Sequence, residues 1–246
     1  MSKPEASPPA EVVSSSGSPI YRHGEPTPWS APQGEECLED ISTHVKAHLG
    51  PVESVFHEIL SDTVHVDVHF VRPTETWPCI RLVTSGMSDL PMSTPDGADV
   101  PRHVELMMTL PQDWKLDEES LKDEHWYWPI RLLKTLARLP HKYATWLGWG
   151  HTVPNGDPPE PYADGVGFSG AIVLPSVSVP KDFHVLHIPG KKDISFYAVV
   201  PLFETEMNFK LRHGTDALLE RLGKKDVSDV VDLSRSDVTK KFLGLW

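Results

Sequence analysis

Two histidines and one aspartate alternate along a single predicted strand in the first third of the chain. Residues 64–70 read Val-His-Val-Asp-Val-His-Phe, and this period of two places His65, Asp67 and His69 on one face of the strand. Imidazole and carboxylate groups are ligands that zinc and other divalent ions use in proteins. A structural zinc site takes four ligands, and no further segment supplies the fourth. The favoured interpretation is a polar strand face without a metal, and the alternative is a metal-dependent enzyme that uses these three residues.

Other sequence patterns that mark catalytic centres are missing. The chain contains no GxSxG, P-loop, GxGxxG or cysteine-rich zinc pattern. Glu204 and Glu206 are two residues apart in a predicted helix, where their side chains diverge and cannot act as a carboxylate pair. The sequence therefore predicts a protein that is not an enzyme, with no catalytic residue and no cofactor.

The charge of the chain restricts the class of partner. The 35 acidic residues outnumber the 23 lysines and arginines, which gives a formal net charge of −12 at pH 7. An acidic surface disfavours nucleic acid as a ligand, because phosphate contacts need clustered Lys and Arg. The same charge favours a basic protein through long-range attraction. We therefore expect a protein partner, with no binding to nucleic acid.

Cysteine content and hydropathy indicate a cytoplasmic protein. Cys37 and Cys79 are the only cysteines, too few for a disulfide framework and typical of a reducing compartment, although the sequence leaves their redox state open. No apolar run approaches the roughly 20 residues that a membrane helix needs. The N-terminus also lacks the basic-then-apolar pattern of a signal peptide. These features predict a protein of the cytoplasm that does not bind a membrane.

Two loops form the candidate partner surface. The acidic loop, residues 85–102, is long for a compact domain, and loops of this length are often functional. The GHT loop, residues 150–156, is glycine-rich and follows Trp146 and Trp149, two side chains that are expected to be buried. The side chains predicted to contact the partner are Asp89, Asp96, Asp99, His151 and Asn155. The alternative is that both loops only close the fold, with His151 bonded internally.

A central helix at residues 128–140 is predicted to position these loops. One face is apolar and consists of Ile130, Leu133, Leu136 and Ala137 at helical spacing. The opposite face is polar and consists of Arg131, Lys134, Thr135 and Arg138. Pro140 is expected to end or kink the helix, because an interior proline removes a backbone hydrogen bond.

The chain is expected to consist of a tail and one domain. Residues 1–35 are rich in proline and serine and are predicted to be disordered, since they have too little apolar surface to offset the entropy of ordering. Residues 36–246 form the predicted domain. It begins with a helix up to Leu49, followed by a second helix that opens at Pro51 and turns Val52, Val55, Phe56 and Ile59 inward.

The remaining elements predict the fold class. Strands are predicted at residues 64–70, 79–84, 104–110, 167–174, 184–188 and 193–200, and helices at 203–211 and 217–222. Runs of adjacent strands, rather than regular alternation with helices, are typical of an α+β domain. We therefore predict an α+β fold with one mixed β-sheet packed with helices.

Six ordered blocks of the sequence resemble the suppressor-of-fused domain family. They are HVDVHFVRPT (65–74), LVTSGMSDLPM (82–92), VELMMTLP (104–111), WPIRLLKTLARLP (128–140), GWGHTVPNG (148–156) and FYAVVPLFETEMNFKLRHGTDALLERL (196–222). The resemblance extends over nearly everything from about residue 36 to 222. It depends on several blocks in a fixed order rather than on one short motif.

This resemblance implies a suppressor-of-fused-like fold with a mixed sheet and no established catalytic centre. The animal member of the family restrains transcription factors by clamping a peptide between two domains. The present chain has no room for the second domain, so it resembles the single-domain bacterial form and the animal role is not carried over. That bacterial form is proposed to act as an immunity protein in toxin–antitoxin systems, which implies a toxin as the protein partner.

Overall fold

The computed structural model describes residues 12–24, 26, 37–56 and 65–240, which build one large β-sheet with helices on both faces and a small hairpin beside it. The strands are β1 (Val12–Val13), β2 (Pro19–Ile20), β3 (Val52–Phe56), β4 (Asp67–Val71), β5 (Cys79–Ser85), β6 (Val104–Pro111), β7 (Thr152–Pro154), β8 (Gly170–Leu174), β9 (Val185–Ile188) and β10 (Lys192–Leu202). The helices are α1 (Leu38–Leu49), α2 (Glu124–Lys142), α3 (Glu204–His213) and α4 (Thr215–Gly223).

The large sheet is mixed. Its strands follow the order β3-β4-β5-β6-β10-β8-β7, and β9 also pairs with β10. β6 and β10 run parallel, with Ser195 opposite Val104, whereas the other pairings between its strands are antiparallel. β8 and β9 lie in line on the side of β10 that faces away from β6. The predicted α+β fold with one mixed sheet is confirmed.

Alternation along the strands divides the apolar residues between two cores. On β4, Val68 and Phe70 belong to the core beneath α2, while Val71 belongs to the core on the opposite face. The apolar stripe predicted for α2 is buried, and Leu133 at its centre has no exposed surface. On the other face, α1, α3 and α4 contribute Ile41, Val45, Leu49, Met207, Leu218 and Leu222. The sheet is therefore covered on both sides, and functional residues must lie at its edges or in its loops.

The polar face predicted for α2 is wrong at one position. Lys134 is only 5 % exposed, and its Nζ atom lies 4.2 Å from the centroid of the Phe56 ring, where a cation–π contact takes the place of water. The helix also runs past Pro140 to Lys142, and Tyr143 N still donates to Leu139 O at 3.1 Å. Pro140 has no N–H to donate to Leu136 O, so the helix lacks this bond but continues for two more residues.

The second predicted helix is a strand. Residues 52–56 form β3, with Val52 opposite Val71 and Phe56 opposite Val68 on β4. The register shifts between Val52 and Ser54, so the apolar residues no longer alternate regularly and resemble a helical period. Pairing with β4 decided the structure here, because β-branched and aromatic residues suit a strand once a partner strand is present. Ile59 lies outside the described residues.

Part of the predicted disordered tail forms the hairpin of β1 and β2. At its tip, Ser16 N donates to Leu211 O at 3.2 Å, next to the C-terminal end of α3. Farther along, Arg22 Nη1 lies 3.9 Å from Asp157 Oδ2, and His23 stacks on Tyr143 with ring centroids 5.1 Å apart. Residues 1–11, 25 and 27–35 of the tail lie outside the described residues, and the disorder of residues 1–35 stays a prediction.

The residues after α4 return to the sheet and to α3. Val231 N donates to Thr109 O at 2.8 Å, beside β6. Arg235 donates to both carboxylate oxygens of Glu206 at 2.6 and 2.7 Å, and both side chains are buried. Cys37 and Cys79 are buried, and they do not form a disulfide bond with each other. Within the described ranges, no helix combines the length and the apolar character needed to cross a membrane.

Candidate partner-binding site

The acidic loop begins with a tight turn at residues 86–89. Gly86 has a φ of 106°, in the left-handed region that favours glycine. A Cβ atom at this position would lie 2.0 Å from the carbonyl oxygen of His65, a distance that no real side chain could occupy. The chain can therefore turn here against the backbone that precedes β4 only because residue 86 is glycine.

A buried carboxylate on β6, Glu105, bonds this turn from the inside. Its Oε1 atom accepts hydrogen bonds from Gly86 N at 3.0 Å, Ser88 N at 2.9 Å and Ser88 Oγ at 2.7 Å. The Thr84 hydroxyl donates to Oε2 at 2.5 Å. Glu105 has no exposed surface, and its desolvation outweighs these bonds and raises its pKa to about 7. The turn is thus attached to the central strand of the sheet.

Basic side chains bond the same turn through its carbonyl oxygens. Lys192 Nζ donates to Ser88 O at 2.9 Å, and His103 Nδ1 lies 2.9 Å from the same oxygen. His141 Nε2, at the end of α2, lies 2.8 Å from Met87 O. Burial lowers the pKa of His141 and favours the neutral ring in this contact. Contacts from β10, α2 and the start of β6 therefore fix the position of the turn.

The far end of the acidic loop is closed by backbone bonds. Met92 N donates to Arg102 O at 2.7 Å, and Ser93 N donates to Thr145 O at 3.1 Å. Residues 95–99 between these bonds are exposed. The loop therefore has two fixed ends and an exposed centre, and it lies against the segment that leads from α2 to the GHT loop.

The three predicted aspartates of this loop differ in their surroundings. Asp96 and Asp99 are exposed at its centre. Asp89 is half-buried at the end of the turn, where Lys192 Nζ contacts its carbonyl oxygen at 3.4 Å. Asp96 and Asp99 are therefore open to solvent, while the position of Asp89 is determined by the turn.

The two residues predicted in the GHT loop both contact other residues of the same chain. His151 packs on Trp146 with ring centroids 4.2 Å apart, and burial, with a smaller contribution from Lys210, lowers its pKa to about 4. Asn155 Nδ2 donates to Glu160 O at 2.8 Å, which closes the next loop. β7 separates these residues, so His151 and Asn155 lie at opposite ends of this strand.

Trp149 departs from its sequence prediction. It is 50 % exposed, so the expectation that both tryptophans of this segment are buried is wrong for Trp149. Its neighbours Gly148 and Gly150 are buried, and Gly150 N donates to Val173 O at 2.8 Å. The backbone is therefore fixed while the indole faces solvent. The signal in the sequence was a tryptophan between two glycines, a pattern that can present an aromatic side chain.

The side chains of the candidate metal site are divided between separate contacts. His65 Nε2 lies 3.0 Å from Asp67 Oδ1. His69 is fully buried on β4, and its Nε2 lies 2.9 Å from Ser85 Oγ on the neighbouring strand. In residues 12–24, 26, 37–56 and 65–240, no three side chains of His, Cys, Asp or Glu are grouped as a metal site would require.

Comparison with known proteins identifies one family. The family model described as "Suppressor of fused protein (SUFU)" matches residues 62–236. Among curated proteins, none matches this chain.

Two solved structures are similar to the chain. One is a SUFU homolog from Neisseria gonorrhoeae FA 1090, with 16 % sequence identity and a TM-score of 0.62, and the match covers 85 % of this chain and 100 % of that one. The other is from the Sufu–Fu complex, with 14 % identity and a TM-score of 0.55, covering 83 % and 92 % of the two chains. At these identities the likeness concerns the fold, and it confirms the predicted suppressor-of-fused-like architecture.

Proposed function

Because the chain belongs to the suppressor of fused family, we propose that it works as a protein-binding module and not as an enzyme, and that its partner is a basic protein. The Sufu–Fu complex is an assembly of a family member with another protein, which supports this class of function. The charge of the chain supports the nature of the partner, since a net charge of −12 attracts basic proteins over long distances.

The observation that carries the proposal is that the acidic loop has fixed ends and an exposed, charged centre. Its ends are bonded to β6, β10 and the segment after α2, while Asp96 and Asp99 remain exposed at its centre. A loop that is already ordered loses little conformational entropy when it binds. Exposed charges on such a support mainly increase the rate of association, because they steer the approach of an oppositely charged surface.

The finer proposal is that the partner is a toxin, and that this protein is a cytoplasmic immunity protein that neutralises it. Its support is the resemblance to the single-domain bacterial form of the family, together with the acidic charge. The full-length chain can serve as bait in a pull-down from its native host. Identification of the protein that it recovers tests this point directly. A partner without toxicity when expressed alone would contradict the immunity role and leave the binding module intact.

The binding proposal is tested by changing charge at one place only. Asp96→Asn/Asp99→Asn should slow association with the recovered partner several-fold at low salt and leave the melting temperature nearly unchanged. The matched control is Asp113→Asn/Glu118→Gln, which removes two exposed carboxylates beyond the other end of β6. Equal association rates for the two variants would exclude the acidic loop. Turnover of a substrate in a broad hydrolase screen would contradict the binding module itself.

A further inference from the structure

The buried carboxylate of Glu105 is bonded by neutral groups in the described part of the chain. Its Oε1 atom accepts from the amides of Gly86 and Ser88 and from the Ser88 hydroxyl, and its Oε2 atom accepts from the Thr84 hydroxyl. None of these donors carries a charge. A buried carboxylate without a bonded cation is costly, because neutral donors replace only part of the solvation that water provides. The site therefore favours an acid that can lose its charge by binding a proton.

The bonds of the two oxygens show where this proton fits. Oε1 already accepts three hydrogen bonds, at 3.0, 2.9 and 2.7 Å, and has no lone pair left for a proton. Oε2 accepts one bond, from Thr84 Oγ1 at 2.5 Å. Thr84 Oγ1 accepts from Leu106 N at 2.8 Å, and its second lone pair can accept from a protonated Oε2 once its own hydrogen rotates away. Proton binding at Oε2 therefore leaves the bonds between Glu105 and the turn of residues 86–89 in place.

Charged and titratable groups from several elements surround this turn. Lys192 of β10 donates to two carbonyl oxygens of the turn, and His103, before β6, and His141, in α2, each contact one. These three side chains thus bond the backbone of the turn. Asp89, at the end of the turn, places a second carboxylate near Glu105. Burial, with a smaller contribution from Asp89, raises the pKa of Glu105 to about 7.

The turn covers the carboxylate, and this links proton binding to the position of the turn. Glu105 has no exposed surface, and Gly86 and Ser88, whose amides bond it, are buried as well. Water reaches the carboxylate when these residues move away, and a hydrated carboxyl has its ordinary pKa of 4.5. The closed turn therefore binds the proton more tightly than an open turn does. By linkage, the bound proton stabilises the closed turn.

We propose that the turn of residues 86–89 is sensitive to pH: it stays closed over Glu105 while the carboxyl is protonated, and it opens more readily once that proton is lost. The turn is the first fixed end of the acidic loop, so its opening releases the support on which Asp96 and Asp99 are presented. A loosened loop loses more conformational entropy on binding, which weakens binding. The step from the turn to a partner rests on the proposed function, whereas the behaviour of the turn does not.

Amide hydrogen exchange of the full-length protein, followed by NMR and corrected for the intrinsic effect of pH, measures this opening. With pKa values of about 7 in the closed turn and 4.5 in water, the equilibrium constant for opening should rise roughly 10-fold between pH 6 and pH 8. The amides of Gly86 and Ser88 should lose protection by this factor. They should also remain less protected than a core amide such as that of Val173, which donates to His151 O.

Two variants and one direct readout assign the effect to Glu105. Glu105→Gln is uncharged at both pH values and should abolish the change in protection, whereas exposed Glu118→Gln should retain it. In the wild-type protein, the ¹³C signal of the Glu105 carboxyl should titrate with a pKa of about 7. This measurement needs no variant. Titration with a pKa near 4.5 would overturn the inference.

The remaining outcomes also decide the question. Equal protection of the turn and core amides would mean that the turn does not open by itself, and would overturn the inference. A pH effect that persists in Glu105→Gln but disappears in His141→Gln would assign it to the imidazole instead. With the partner from the pull-down, association should be several-fold faster at pH 6 than at pH 8 for wild type, and this difference should vanish in Glu105→Gln. The expected exchange together with unaltered association would leave the turn as proposed and contradict the acidic loop as the contact surface.

Discussion

The Glu105 carboxylate lies 2.7 Å from the Ser88 hydroxyl, and this contact joins the central strand of the sheet to the turn that begins the acidic loop. Ser88 also donates its backbone amide to the same oxygen, while its carbonyl oxygen accepts from Lys192. The amide, the hydroxyl and the carbonyl oxygen of Ser88 therefore all form hydrogen bonds with residues of the sheet. The position of the acidic loop depends on the protonation and the size of the groups at this junction.

Protonation of Glu105 should make stability depend on pH. Its pKa is raised from 4.5 to about 7 in the folded protein, so the folded state binds the proton more tightly than the unfolded state. The free energy of unfolding should thus fall as the pH rises from about 4.5 to about 7, by roughly 3 kcal/mol from this group. Glu105→Gln mimics the protonated acid and should remove this part of the pH dependence, measured by urea denaturation between pH 4.5 and 8. Exposed Glu118→Gln is the control, and identical profiles for wild type and Glu105→Gln would refute the assignment.

The size of residue 86 should be critical for the same turn. In Gly86→Ala the new Cβ atom would lie 2.0 Å from His65 O at a positive φ, so we expect a loss of about 3 kcal/mol or more in the free energy of unfolding. Gly97→Ala in the same loop is the matched control, because Gly97 also has a positive φ but no atom within 4 Å. That variant should lose about 1 kcal/mol. Similar losses for both variants in denaturant unfolding would mean that the close contact with His65 O does not add to the cost of Gly86→Ala.

The N-terminal segment should be dispensable for folding. The contacts of residues 12–24 with the rest of the chain include few hydrogen bonds, one ion pair at 3.9 Å between exposed side chains, and the stacking of His23 on Tyr143. Deletion of residues 1–35 should therefore lower the free energy of unfolding by less than about 2 kcal/mol. Limited proteolysis should remove the segment first and leave a resistant core. Loss of cooperative thermal unfolding in the truncated chain would contradict this expectation.

The strand face with His65, Asp67 and His69 should not retain zinc. His69 is buried against Ser85, and His65 contacts Asp67, so the three side chains do not converge on one point. Elemental analysis of protein purified without chelators should find zinc far below one equivalent. Near-stoichiometric zinc that disappears in His65→Ala/His69→Ala would instead support the metal-dependent enzyme.

The elements with a strong local pattern could be predicted from the sequence. The apolar runs at 184–188 and 193–200 indicated β9 and β10, and the spacing of Leu133 and Leu136 indicated α2. β3 was missed because its irregular register with β4 resembles a helical period, and only the neighbouring strand decides between the two. Lys134 was placed on the wrong face because its neighbour Phe56 is distant in the sequence.

The candidate site was harder to predict than the fold, because it depends on contacts between residues that are distant in the sequence. Glu105 interrupts the apolar strand VELMMTL, and this was the available signal for a buried functional acid, but its hydrogen-bond donors are about 20 residues away in the sequence. His151 and Asn155 have the residue types of a binding surface, yet Trp146 and Glu160 engage them internally. Exposure, which distinguishes Trp149 from Trp146, is a property of the folded packing and not of the residue type.

The parallel pairing of β6 with β10 also constrains the order in which the strands of the sheet can pair during folding. β3 to β6 form one meander of sequence neighbours, and β7 to β10 form a second group, in which β7 pairs with β8 while β8 and β9 both pair with β10. The strands of the two groups pair only where residues 104–107 meet 195–198, roughly 90 residues apart, so the loop-closure entropy of that step must be overcome before the sheet is complete. Glu105 lies inside this seam. The donors to Glu105 all lie between residues 84 and 88, in the first meander, so these bonds can form early, whereas the bond from Lys192 to Ser88 O can form only after β10 has been made.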